Sequence, residues 1–126
     1  MRESQLRCKQ RAYENHIERL KEKYLVRNNL NVIRFSNRSS CHINCFRFNL
    51  SEDIRHILKK LEVCIQLMNK NHKFITEAIF ENGSRCDILD LSDATIYEVL
   101  NSENKEKFRA KIVKYPEKFK IVMVKV

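Results

Sequence analysis

Apolar positions change their period several times along the chain, and each change marks an element. Over residues 4–25, Leu6, Tyr13, Ile17, Leu20 and Tyr24 share one helical stripe, while Arg7, Lys9, Arg11, Arg19, Lys21 and Lys23 fall mostly off it. A helix is expected there, broken by Asn28-Asn29-Leu30-Asn31. Two short alternating runs follow, Val32 to Phe35 and His42 to Leu50, joined by the polar Ser36-Asn37-Arg38-Ser39-Ser40, which is the pattern of a β-hairpin. Ser51 then offers an N-cap, with Glu52 and Asp53 placed to complement a helix dipole. The spacing predicts a helix to about Asn69, with Ile54, Ile57, Leu58, Leu61, Ile65 and Met68 as its core face and Arg55, Lys59 and Lys60 turned away.

Three strands are expected next. Lys73 to Glu81 alternates and ends at Asn82-Gly83, the strongest short hairpin signal, with the chain's one glycine where a turn needs positive φ. Arg85 to Leu91 is the second strand, Ser92-Asp93 the turn, and Thr95 to Leu100 the third. Asn104 to Tyr115 reads as a helix with Phe108, Ile112 and Tyr115 on one side, stopped by Pro116. Phe119 to Val126 is a final β-branched strand. From residue 51 the order is therefore α-β-β-β-α-β, a mixed α/β core preceded by a basic helix and hairpin over residues 1–50. At 126 residues the two parts are expected to form one compact domain.

Composition narrows the class. With 43% apolar residues a packed core is within reach, and neither a bilayer-spanning run nor an apolar leader is visible, so a soluble, cytoplasmic protein without membrane association is expected. Five cysteines, an odd number, read as reduced thiols, with Cys64 and Cys86 buried as small apolar residues. The net charge of +9 is uneven: residues 1–50 carry +7 and residues 51–126 carry +2. Such a basic excess attracts polyanions, because neutralising phosphates releases condensed counterions. An anionic membrane surface or an acidic protein partner would satisfy it too.

The acids gather in the strands. Glu77 lies in the first, Asp87 in the second and Glu98 in the third, each flanked by apolar neighbours. Carboxylates are disfavoured in strands and costly to bury, so acids there need a reason. Neighbouring strands lie about 4.8 Å apart, which lets acids on adjacent strands converge on one point. Converging carboxylates repel unless a cation joins them, and hard oxygen ligands suit Mg²⁺ or Mn²⁺. The blander reading has each acid capping a turn or pairing with a surface lysine.

The order α-β-β-β-α-β, with acids in Phe74-Ile75-Thr76-Glu77-Ala78, Arg85-Cys86-Asp87-Ile88-Leu89 and Ile96-Tyr97-Glu98-Val99-Leu100, resembles the PD-(D/E)XK nuclease superfamily. That group includes restriction endonucleases, Holliday-junction resolvases and the nuclease domain of competence protein CoiA. Together with Ser102-Glu103, the pattern is similar to CoiA-like and archaeal or viral branches. The resemblance covers residues 51–126. It implies a restriction-endonuclease-like core and metal-dependent cleavage of phosphodiester bonds, most readily in DNA. It also implies Asp87 and Glu98 as ligands of Mg²⁺ or Mn²⁺, and a further acid, best Glu77 with Glu62 in reserve. The chain departs at the motif lysine, whose position holds Leu100. Either Lys107 or Lys111 on the following helix replaces it, Lys111 being the favoured catalytic lysine, or the site binds nucleic acid without cutting.

Other signals are weaker. Arg7, Arg11, Lys21 and Lys23 could hold a phosphate backbone. The apolar stripe of the first helix suits its own domain or a second protomer, which leaves room for a homodimer. Cys41 and Cys45 would stand about 13 Å apart on a strand, too far to share a zinc ion. His16, His56 and His72 read as solvated or lightly paired.

Overall fold

The computed structural model describes residues 2–38, 42–100 and 105–126. Among these the chain forms α1 (Glu3–Leu30), a 3₁₀ turn (Phe35–Asn37), α2 (Ile54–Asn69), β1 (Phe74–Ile79), β2 (Arg85–Asp90), β3 (Thr95–Leu100), α3 (Lys105–Ile112) and β4 (Lys120–Lys125). After residue 51 this is the expected order, and a mixed α/β architecture with a four-stranded sheet results. The expected start of α3 at Asn104, the Ser102-Glu103 pair and Cys41 lie outside the described residues.

The strands lie side by side in the order β1-β2-β3-β4. β1, β2 and β3 run antiparallel in succession, and β4 returns parallel to β3 after α3. The β1–β2 turn closes as its sequence demands. Gly83 takes φ 90°, its N–H donates to the Phe80 carbonyl at 2.9 Å, and the Asn82 side chain accepts from the Ser84 N–H at 3.0 Å. A side chain at Gly83 would also crowd Arg34, since a Cβ there would lie 3.2 Å from its guanidinium.

Two apolar clusters cover the sheet. One joins Ile75, Leu89 and Ile96 to Phe80, Tyr115 and Phe119, and takes in Val26 from the end of α1. The other packs Val63, Cys64 and Leu67 of α2 against Phe74 and Ile88. Burial of both Cys64 and Cys86 agrees with the sequence expectation.

Four expectations need correction. The first helix does not break at Asn28-Asn29 but continues to Leu30. Asn29 is buried there, and its side-chain amide is satisfied by donating to the Leu91 carbonyl at 2.7 Å. The segments expected to form a hairpin with each other instead lie along the free edge of β1. Ile33 bridges to Phe80 and Ile43 to Ile75, while the Arg34 N–H donates to the Ile79 carbonyl and the Asn44 N–H to that of Phe74, both at 2.8 Å. Their alternation reflects one face packed on the sheet, and they occupy edge groups that would otherwise be open to another strand. The N-cap of α2 is Asp53, whose carboxylate accepts from the Arg55 N–H at 3.3 Å, with Ser51 left in the preceding turn.

The fourth correction concerns the orientation of α2. Ile54, Leu58, Ile65 and Met68, expected in the core, are exposed, and the buried line is Lys60, Val63, Cys64 and Leu67. Lys60 retains no exposed surface at all. The two lines are both apolar enough to be buried, and the sheet selects the one whose polar upper end finds charged partners.

α1 is otherwise little covered: from Glu3 to Tyr24 it is exposed except at Ile17, which is half-buried. Among the described residues no helix is long and apolar enough to cross a membrane.

Candidate functional site

Alternation fails at one row of the sheet. On β1, Phe74 faces α2 and Ile75 faces away, yet Ala78 also faces away. On β2, Ile88 faces α2 while both Leu89 and Cys86 face away. The register itself is unbroken, with Thr76 opposite Ile88 and Ala78 opposite Cys86. The switch therefore occurs at Glu77 and Asp87, which lie opposite each other. Glu77 adopts φ 53°, a left-handed conformation that costs a non-glycine residue on the order of 1 kcal/mol and tends to persist where a side chain must be aimed.

β2 and β3 also part here. Their ladder covers Ile88, Leu89 and Asp90 against Tyr97, Ile96 and Thr95. Beyond it, carboxylates take over the pairing: the Asp87 N–H donates to Glu98 Oε1 at 3.3 Å, and the Val99 N–H donates to Asp87 Oδ2 at 2.8 Å. Each acid fixes the other's strand, and the two carboxyl groups act directly on each other. Burial, reinforced by the Asp87 charge, raises the Glu98 pKa to about 7. Burial also acts to raise that of Asp87, but hydrogen bonds from His56 and the Val99 N–H outweigh it and hold the carboxyl below its usual range.

Cations close around this pair. Lys111 of α3 reaches Glu98 Oε2 at 3.3 Å, and the Tyr115 hydroxyl donates to Glu98 Oε1 and stands 2.9 Å from the Arg85 carbonyl. Burial and the adjoining Glu98 push the Tyr115 hydroxyl far above its normal pKa, so it stays a neutral donor. From α2, His56 Nε2 lies 3.0 Å from the Val99 carbonyl and 3.6 Å from Asp87 Oδ2, and Nδ1 lies 3.0 Å from Glu52 Oε2. Both ring nitrogens face acceptors, which requires the imidazolium form. The hydrogen bond to Asp87 raises the His56 pKa to about 9 despite partial burial. Lys60 is ion-paired with Glu77 and lies 3.9 Å from Glu52, and Arg85 approaches Glu77 at 3.8 Å. Burial raises the Glu77 pKa even so.

Four of the residues expected from sequence, Glu77, Asp87, Glu98 and Lys111, thus meet. Lys107 is exposed, and Glu62 is exposed beside Lys59 at 3.3 Å, so neither joins them. Arg7, Arg11, Lys21 and Lys23 are exposed along α1, with Arg7 paired to Glu3 at 2.9 Å. Sequence reasoning missed Glu52, His56, Lys60 and Tyr115. Lys60 points inward rather than away, and His56 is bound on both ring nitrogens rather than lightly paired. A signal existed, since Glu52, His56 and Lys60 repeat every four residues and continue into the buried line at Cys64.

Among the described residues no group of three or more His, Cys, Asp or Glu side chains is placed to hold a metal ion by itself. Two facing carboxylates nevertheless suit a hard divalent cation, because Mg²⁺ is commonly held by one or two carboxylates, with water and substrate phosphate completing the shell. A cation there would relieve the same repulsion that helps to raise the Glu98 pKa. No protein-family model, characterised protein or solved structure matches the chain.

Proposed function

We propose that this cluster is the centre of a metal-dependent nuclease that hydrolyses phosphodiester bonds in nucleic acid, with DNA favoured. The observation that carries the reading is the parting of β2 and β3 at Asp87 and Glu98, where a half-buried and a buried carboxylate meet beside Lys111. Asp87 and Glu98 would hold Mg²⁺ or Mn²⁺. Such an ion polarises a phosphate oxygen and lowers the pKa of bound water. Lys111 brings positive charge from α3 to the place where the motif lysine is replaced by Leu100, and it would bind a phosphate oxygen when Glu98 is engaged by the cation. His56 and Lys60 orient the acids, His56 through Asp87 and Lys60 through Glu77. Arg7, Arg11, Lys21 and Lys23 on the exposed face of α1 would grip phosphates without reading sequence.

A second reading has its own support. Glu52, Glu77, Asp87 and Glu98 are already matched by Lys60, His56, Lys111 and Arg85, so these side chains offset the acids without a metal ion. A chain of this kind could bind nucleic acid and leave it intact. Incubation of supercoiled, linear and single-stranded substrates with Mg²⁺, Mn²⁺ or EDTA separates the two. The nuclease cuts only with metal, and Asp87→Ala or Glu98→Ala abolishes the product. Cleavage that survives in Asp87→Ala sinks the assignment, and binding with no product under any condition favours the second reading.

A further inference from the structure

A groove of about 470 Å³ opens next to the acid cluster, with Glu77 in its wall. Arg47, Phe48, Asn49 and Leu50 from the segment before α2 line it together with Arg85 of β2. Phe48 is 46% exposed and Leu50 91% exposed, although the segment carrying them is anchored. The Arg47 N–H donates to Thr76 Oγ1 at 2.8 Å, and that hydroxyl donates to the Cys45 carbonyl at 2.8 Å. Phe46 packs against the α2-side core while Phe48, its ring centre 5.6 Å away, remains outside. A part-exposed aromatic ring in a groove wall, on an anchored segment, is a platform, and Arg47 and Arg85 line the same groove.

We infer that this groove is a subsite for one unpaired nucleotide of a nucleic-acid strand, with the base stacked on Phe48 and its phosphates held by Arg47 and Arg85. The charge favours a polyanion: among the described residues Glu77 is the one carboxylate in the groove wall, and it is already engaged by Lys60 and approached by Arg85. The stacking surface selects an unpaired base, because the faces of bases in a duplex are covered by their neighbours. Glu77 belongs both to the groove and to the acid cluster, so a strand seated here runs on toward Asp87 and Glu98. What happens to that strand rests on the nuclease reading, whereas its binding does not.

The chain contains no tryptophan, so Phe48→Trp places a single indole at the platform. Oligothymidylate and oligouridylate would be titrated in EDTA against a blunt, fully paired two-strand duplex, with anisotropy of labelled strands reporting binding separately. Quenching of the introduced indole by either single strand, but not by the duplex, is expected. The comparison of the two oligomers distinguishes a DNA from an RNA source. Phe48→Ala should bind single strands about tenfold more weakly than wild type, and Arg47→Ala with Arg85→Ala should flatten the salt dependence. Absence of binding to both single strands, binding without quenching, equal affinity of Phe48→Ala and wild type, or equal quenching by the duplex would each overturn the inference. Failure of the nuclease reading looks different: single strands quench and bind, but metal yields no product.

Discussion

Lys60 is wholly enclosed between α2 and β1, where its ammonium group is ion-paired with Glu77. Removing one partner from such a pair leaves an uncompensated buried charge, whereas replacing both by apolar side chains is often neutral. Lys60→Ala should therefore lower the unfolding free energy by about 3 kcal/mol. The double variant Lys60→Met/Glu77→Leu should recover most of that loss. Urea denaturation of the two variants beside wild type measures both effects, and a double variant no better than Lys60→Ala would show that Lys60 is held by something other than Glu77.

Metal affinity should depend on pH in a definite direction. Burial and the Asp87 charge raise the Glu98 pKa to about 7, so in the metal-free protein Glu98 carries a proton below that pH. A cation shared by Asp87 and Glu98 must displace it. Mn²⁺ binding followed by calorimetry should strengthen about tenfold per pH unit between about pH 5 and 7 and level off above. Proton release should be seen in buffers of different ionisation enthalpy. Affinity that is flat across this range would mean that the cation, if bound, does not sit on Glu98.

His56 makes an opposite contribution at higher pH. Its folded pKa of about 9 exceeds the ordinary 6.5, chiefly because of the hydrogen bond to Asp87, so the folded state holds the proton more tightly than the unfolded chain. The resulting stability is complete below pH 6.5 and is lost as pH rises through about 9. In EDTA, urea midpoints should fall across that window in wild type and change less in His56→Gln. An imidazole NMR titration centred near 6.5 would remove the basis for this expectation.

The order of elements from α2 to β4 is legible in the sequence because each has its own period and its own stop signal, Asn82-Gly83 and Pro116 among them. The acids of the site are legible for a related reason: Asp87 and Glu98 interrupt apolar strands where no turn explains them. What stays hidden depends on contacts between distant segments. Val32 to Phe35 and His42 to Leu50 alternate as hairpin strands do, and alternation cannot say whether a run pairs with its neighbour or with the edge of β1. Asn29 looks like a helix breaker because its partner, the Leu91 carbonyl, lies 62 residues away. Lys60 and His56 look solvated because Glu77 and Asp87 lie in distant strands, and only the four-residue spacing with Glu52 hints at their burial.

The two sides of α2 offer the sharpest test of the fold. Periodicity favours Ile54, Leu58, Ile65 and Met68 as the core face, yet the structure buries Val63, Cys64 and Leu67 and leaves Leu58 58% exposed. A buried leucine cut back to alanine loses both transfer free energy and packing, typically about 2–5 kcal/mol, while a surface substitution away from special features stays within about 0.5 kcal/mol. Leu67→Ala should therefore destabilise the protein by about 3 kcal/mol, and Leu58→Gln or Ile65→Gln should leave the urea midpoint nearly unchanged. The reverse ranking would mean that α2 is rotated by roughly a quarter to a half turn. That rotation would withdraw His56 and Lys60 from Asp87 and Glu77, and the acid cluster would lose its cations along with the geometry on which the proposed chemistry depends.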